Sequence, residues 1–335
     1  MSAPGLGLVP VRRLLVEAPE VRFELHAGDR ALVANEQPVA AGDDLAVQLR
    51  DPRTAVVAGP APGHEAAVPG RHWAPPPGRR AHEEEAEPHG ELLFRSGDRW
   101  RIGTGEHDEP IESPVAGTVT SVRPGIEIRL RTTARGVLGS ETLGGPASGR
   151  LEVVTGPDGE VRAPHIDVSA SGSILVAGAR MDAEALTRAR AVGVRGVIVA
   201  ALGVKERRDF LASERRGRAA VHGLPPFGIL ILDGAAGRPI ASPVMAALRA
   251  MEGRIVALLA DPAAVVVEDP EVELPRPAED LVRVHAGPLV GAEGQWVGLA
   301  GPRRFPGGVM AEAGLVRFGD RPAVAVPLGD LERFA

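Results

Sequence analysis

Three short, almost wholly apolar runs occupy the middle of the chain: GSILVAG (172–178), RGVIVAAL (195–202) and LPPFGILIL (224–232). Each is too short for a buried helix and is bounded by Gly, Pro or a charge, the pattern of a strand covered on both faces. Between and after them the apolar period changes from two to that of a helix. MDAEALTRARAVGV puts Leu186, Ala189 and Val192 on one face, KERRDFLASERRGR (205–218) reads as a short basic helix, and PVMAALRAMEG (243–253) as an amphipathic one. RIVALLA then closes the unit. Strands alternating with helices predict a small α/β domain over 169–262.

On either side the reading is β. Residues 14–50 alternate apolar and polar, with AGD turn signals at 27–29 and 41–43, and further strand patterns run from 91 to 130. A Gly-rich stretch, GVLGSETLGGPASG (136–149), precedes two strand candidates at 150–168. These segments make a first β-rich domain over 1–168. Residues 51–90 interrupt it with prolines and the acidic run Glu83–Glu85, and so little apolar surface predicts a mobile insertion. Pro and acidic residues at 263–280 predict a linker, and 281–335 a last all-β unit. The fold class expected is mainly β with a central α/β unit.

Composition narrows the chemistry. Aromatic residues make up 3% of the chain and Tyr is absent, so cores must be built from Val, Leu, Ala and Ile. Zero Cys excludes disulfides, thiolate nucleophiles and Cys-based metal sites. Lys205 is the only lysine, so a P-loop, Schiff-base or carrier lysine must be Lys205 or none, and no phosphate-binding glycine pattern precedes it. A net charge of −6 gives no whole-molecule attraction to polyanions. No apolar run approaches the roughly 20 residues that span a bilayer, and the N-terminal charges follow rather than precede a short apolar stretch. A cytoplasmic protein with no membrane partner and no cofactor is expected.

The most specific motif is VRVHAGPLVGAEGQWVGL at 282–299. Val282, Arg283 and Val284 form an apolar–basic–apolar strand and Gly287 with Pro288 a turn; Gly291 and Gly294 follow, and Trp296 and Val297 open the next strand. Glycines at 287, 291 and 294 allow positive φ in a tight loop. The stretch resembles the KOW motif, which implies a small SH3-like barrel over 281–335 and binding to RNA, RNA polymerase or other proteins. Six arginines against five acidic residues leave that segment only weakly basic. Arg283 and the AGPRRFPGG segment with Arg303, Arg304 and Phe305 are the candidate contacts there, the segment reading equally as a solvated loop.

Two further resemblances are looser. EQPVAAGDDLA (36–46) and ESPVAGTVTSV (112–122) resemble the two halves of a lipoyl- or biotinyl-type barrel-sandwich domain, with 51–90 inserted between them. The carrier chemistry is excluded because no lysine lies near the hairpin. SILVAGARMDAEALTRARAVGVRGVIVAAL is similar to protease-associated and swivelling domains, which act as lids or interaction modules.

Other features read as structural. His64, His72, His82 and His89 match no metal-ligand spacing, His107-Asp108-Glu109 has no nucleophile beside it, and Ser113 and Ser242 lack a GxSxG setting. The helix at 205–218 is the densest basic region, and Lys205, Arg207, Arg208, Arg215 and Arg216 are candidate anion contacts or a solvated salt-bridged face. A non-enzymatic binding adaptor that contacts RNA or a transcription or translation assembly is therefore expected. The alternatives are an assembly protein built from small β domains and an enzyme with a site between domains.

Overall fold

The computed structural model describes residues 4–25, 29–50, 54–58, 72–73, 90–96, 99–103, 107–220, 226–234 and 237–335. The fold is mainly β, organised in several sheets, with three α-helices among the described residues.

A nine-stranded sheet is the centre of the molecule. Its order is Glu141–Gly144, Gly228–Gly234, Gly196–Ala201, Ser173–Val176, Ala147–Val153, Ile255–Leu259, Ala264–Val267, Arg135–Leu138 and Leu15–Glu17. The four strands from Gly228–Gly234 to Ala147–Val153 are parallel, and the rest are antiparallel. The helices follow the expected segments: α1 (Ala183–Val192), α2 (Val204–Ala220) and α3 (Ser242–Ala250). α1 starts where the Asp182 carboxylate accepts from the Ala185 N–H at 2.7 Å, and ends at Gly193 in the left-handed region.

Both faces of this sheet are covered, which is why its central strands are apolar without alternation. Leu186 and Ala189 of α1 and Phe210 of α2 pack with Leu175, Val197 and Ile229 on one face. Val244, Met245 and Leu248 of α3 pack with Ile174, Ile198 and Leu230 on the other.

The sheet does not respect the domain limits drawn from composition. Four strands of the expected first domain, Leu15–Glu17, Arg135–Leu138, Glu141–Gly144 and Ala147–Val153, belong to it. The Gly-rich stretch is strand because its glycines sit where chains touch. A Cβ at Gly136 would lie 1.9 Å from the Val265 carbonyl oxygen, and one at Gly149 would lie 2.4 Å from that of Gly172. The expected linker likewise contains a central strand, Ala264–Val267, at most 2% exposed, and Val272 beyond it is buried against α3's face. Of the strand candidates at 150–168, residues 150–153 belong to Ala147–Val153 and Glu160–Val161 makes a short pair; the remainder is turn and irregular chain with single 3₁₀ turns at Ala163–His165 and Val168–Ala170.

The N-terminal β unit carries two sheets, of order Glu20–Glu24, Glu127–Arg131, Gly117–Arg123, Pro38–Val39 and of order His107–Glu112, Asp44–Arg50, Arg30–Ala31. The two motif halves do pair: Val39 with Gly117, and Asp44–Arg50 with His107–Glu112. Their shared core, including Val21, Leu45, Val119, Ile128 and Leu130, closes against Ala257, Leu259 and Val266 of the nine-stranded sheet. Within 51–90 the described residues are 54–58, 72–73 and 90, and the expected mobility otherwise falls outside them. Those residues are strand, in a four-stranded sheet with Gly90–Ser96 and Arg99–Gly103.

The third unit is a six-stranded sheet of order Val11–Arg12, Leu331–Phe334, Leu281–Val284, Glu293–Arg304, Met310–Arg317, Val324–Pro327. Five strands come from 281–335. The sixth, Val11–Arg12, comes from the other end of the chain and runs parallel to Leu331–Phe334. Leu6 and Val9, 2% and 1% exposed, fill the core with Val282, Val284, Trp296, Val316 and Leu331. Trp296 Nε1 donates to the Pro4 carbonyl at 3.2 Å. Residues 281–335 are therefore not a self-contained unit: their core is completed by the N-terminal strap.

Candidate functional site

Period-two alternation puts Val282 and Val284 on the core side of their strand and Arg283 on the opposite face. The candidate contact read from the sequence needs that face to be open. In the structure it is laid on the nine-stranded sheet, and Arg283 is fully buried.

Its guanidinium donates to both oxygens of Asp233, at 3.0 and 2.8 Å, and through Nε to Glu332 at 2.6 Å, while lying 5.5 Å from the centre of the Phe334 ring. Asp233 stands at the carboxyl end of the parallel strand Gly228–Gly234, and its side chain is 2% exposed. Arg12 of the N-terminal strap also pairs with Asp233 and donates to the Leu232 carbonyl at 2.6 Å. Arg238 donates to the Asp233 carbonyl at 3.2 Å and to the His285 carbonyl at 3.1 Å. Burial by itself would push the Asp233 carboxyl up, but the hydrogen bonds and charge of Arg283, with Arg12, overcome it and hold the carboxyl below its ordinary value. Arg283 is therefore withdrawn as a candidate nucleic-acid contact: its donors are already used by two carboxylates.

A second tie crosses the same junction. Helix α3 begins with Ser242, whose N–H donates to the Glu293 carboxylate at 2.8 Å while its hydroxyl donates to the other oxygen. An anion at a helix N-terminus is favourable because the first N–H groups are otherwise unmet. Ser242 is thus a docking residue in this fold. Ser113 is buried, donating to the Val115 carbonyl at 2.6 Å.

Carboxyl ends of parallel strands are where open α/β sheets bind ligands. Here the protein itself covers two of the four strand ends. Arg283 and Arg12 occupy the end of Gly228–Gly234. At the end of Ser173–Val176, Gly178 is so closely covered that a Cβ would meet Thr155 Oγ1 at 2.4 Å and the Gly159 carbonyl at 2.6 Å. Beside the ion network an open cleft of about 430 Å³ is lined by Arg12, Arg13, Leu138, Ser140, Asp233 and Glu332, among others. Its charges are largely spent on one another, and the Ser140 hydroxyl donates to the Ile231 carbonyl at 2.9 Å.

No family model and no curated protein matches this chain.

The KOW-like turn splits by cause. Gly287 and Gly291 have φ of 83° and 85°, as the loop reading requires. Gly294 does not have positive φ; it is needed because a Cβ there would lie 2.6 Å from the Arg317 carbonyl oxygen and 2.7 Å from Val316. Pro288 is exposed in that turn.

Arg303 and Arg304 lie in strand rather than loop. Glu293–Arg304 and Met310–Arg317 form a hairpin whose turn is only Phe305–Val309, with Arg303 opposite Ala311 and Arg304 opposite Met310. Both arginines are exposed, Phe305 is half-buried, and among the described residues neither arginine has an ion-pair partner. On α2, Lys205 is exposed, Arg207 donates to Glu141 at 2.5 Å and Arg208 lies 3.6 Å from Asp209. The salt-bridged reading therefore describes Arg207 and Arg208, while the side chains of Arg215 and Arg216 fall outside the described residues.

Sequence reasoning missed Asp233, Arg12, Glu332 and Glu293. Asp233 did carry a signal, being the first charge after the apolar run GILIL. Its partners come from both chain ends, and no local pattern reveals them. No described helix is long and apolar enough to cross a membrane.

Proposed function

We propose that this chain is a non-enzymatic binding scaffold whose KOW-like C-terminal unit contacts RNA or a transcription or translation assembly. The observation that carries the reading is the hairpin Glu293–Arg304/Met310–Arg317. Its base is held on the nine-stranded sheet through Glu293, Arg283 and Asp233, and its far end exposes Arg303 and Arg304 without counter-charges among the described residues. A rigidly seated base with an unpaired basic end suits presentation to a larger partner. The non-enzymatic part rests on the ends of Gly228–Gly234 and Ser173–Val176, which the chain covers with its own groups.

The test is RNA binding by the full chain at several salt concentrations. Phosphate contacts give a log–log slope of roughly 0.7–0.9 per contact. Measurable binding at low salt with a slope of about two or more is the expected result. No binding of RNA at low salt overturns the RNA arm of the reading and leaves the assembly-protein alternative.

A further inference from the structure

Beyond the sheet, the C-terminal hairpin continues as a two-stranded arm. Leu281–Val284 pairs only with residues 293–295 of one strand, and Val324–Pro327 only with residues 313–316 of the other. Residues 302–304 and 310–312 are paired in the ladder with each other alone. At about 3.3 Å per residue the arm and its turn reach roughly 15 Å past the last three-strand row, Gly301–Ala313–Pro327. Register shifts at Trp296/Gly298 and Leu299/Gly301 lie at its root, with Gly301 at φ 66°, the bulges that bend and twist a ribbon.

The arm carries two cations, an apolar crest and one exposed carboxylate, Glu312, which lies at its root opposite Pro302. Arg303 and Arg304 are exposed cations. Pro306, Val309 and Met310 are exposed apolar groups, the last two 61% exposed, beside a half-buried Phe305. Gly307 and Gly308, at φ 83° and 80°, remove side chains from the crest of the turn, so its backbone can approach a surface closely.

We infer that this arm enters a groove of double-helical nucleic acid, with Arg303 and Arg304 on the flanking phosphates and the Pro306–Met310 crest against a base step. The inference rests on the nucleic-acid reading above and specifies its ligand. The major groove of B-form DNA, about 12 Å wide, admits a two-stranded ribbon, and guanidinium forks match phosphate oxygens. Pro, Phe and Met are among the apolar residues that proteins on the minor-groove side use to part stacked bases, and a crest of this kind pressed on a base step has the same chemistry. Single strands are held differently, by successive aromatic platforms, and this arm carries one ring. An acidic protein surface would meet the two arginines but gives no role to a bare glycine crest flanked by exposed aliphatic groups.

The experiment uses the full chain with a 20-base-pair DNA duplex, an RNA duplex of the same length, each single strand, and polyglutamate, at salt concentrations from low to moderate. One base at the centre of each duplex is a fluorescent adenine analogue that brightens when unstacked. Tighter binding to one duplex than to either single strand, with brightening, is expected, and which duplex wins distinguishes DNA from RNA. R303A/R304A should weaken duplex binding roughly tenfold or more at 0.1 M salt and flatten the log–log slope by about two. Met310→Ala with Val309→Ala should keep the slope and lose the brightening. All four side chains are exposed, so circular dichroism of both variants should match the parent. Duplex binding with an unchanged slope in R303A/R304A overturns the arm while leaving the nucleic-acid reading. So does tighter binding to single strands. Binding of polyglutamate alone assigns the arm to an acidic protein and overturns the proposal, and no binding to any nucleic acid overturns both.

Discussion

Asp233→Ala tests how the two ends of the chain are held on the nine-stranded sheet. The substitution removes both hydrogen bonds that Arg283 makes to this carboxylate and leaves its guanidinium fully buried with Glu332 as its remaining anion. Breaking a buried pair by deleting one partner costs about 3–5 kcal/mol, because the surviving charge stays desolvated. Arg12, with its side chain 21% exposed, can turn to water, so its lost pairing adds little. The unit held by Arg283 should therefore open more easily by about 3–5 kcal/mol, a factor of roughly 10² to 10³·⁵ at 1.4 kcal/mol per decade. Hydrogen exchange read by mass spectrometry on peptides covering 281–284 and 331–334 measures this directly, and exchange there should accelerate by that factor. Peptides covering Ser173–Val176 should change much less. A paired replacement, Asp233→Leu with Arg283→Met, removes both charges and should recover most of the loss. Acceleration below tenfold for Asp233→Ala, or a double variant as labile as the single one, would refute the reasoning.

Three other outcomes follow from the same geometry. A fragment of residues 278–335 should show no cooperative unfolding, since it lacks Leu6, Val9, the strand Val11–Arg12 and Asp233; in the full chain Leu6→Ala should cost about 2–4 kcal/mol by urea titration. Gly314→Ala should destabilise the C-terminal unit, since its Cβ would lie 2.1 Å from the Trp296 ring, and Gly136→Ala should do so in the nine-stranded sheet, where the clash is with backbone; Gly237→Ala, with open space around it, should leave the thermal midpoint almost unchanged. Because the Asp233 carboxyl titrates below its ordinary value of 3.8 in the folded protein, its contribution is fully present above that value and is lost as pH falls through the folded value. Exchange protection at 281–284 should thus hold flat from pH 7 to about 5 after correction for intrinsic rates, and collapse on further acidification.

The central α/β layer was legible in the sequence because its signals are local. Unbroken runs such as RGVIVAAL and helical periodicity such as MDAEALTRARAV report covering on both faces or on one, whatever does the covering. The pairing of the halves around Val39 and Gly117 was anticipated only through the barrel-sandwich resemblance, because no local pattern links segments so far apart along the chain. What composition hides is partnership. AVVV at 264–267 is a buried strand set among prolines and acids, and the Gly-rich stretch 136–149 is strand because neighbouring backbones leave no space for a Cβ. The exposed end of the hairpin could be anticipated from RRF, a basic pair beside an aromatic, although its placement in strand could not. Arg283 shows the limit most clearly. Alternation alone settles that it faces away from Val282 and Val284, but an identical pattern serves a solvated arginine and one locked to Asp233. Only the tertiary structure decides between them, because burial of a charge depends on what is laid over that face, and here the covering groups come from residues 12, 233 and 332, far apart along the chain.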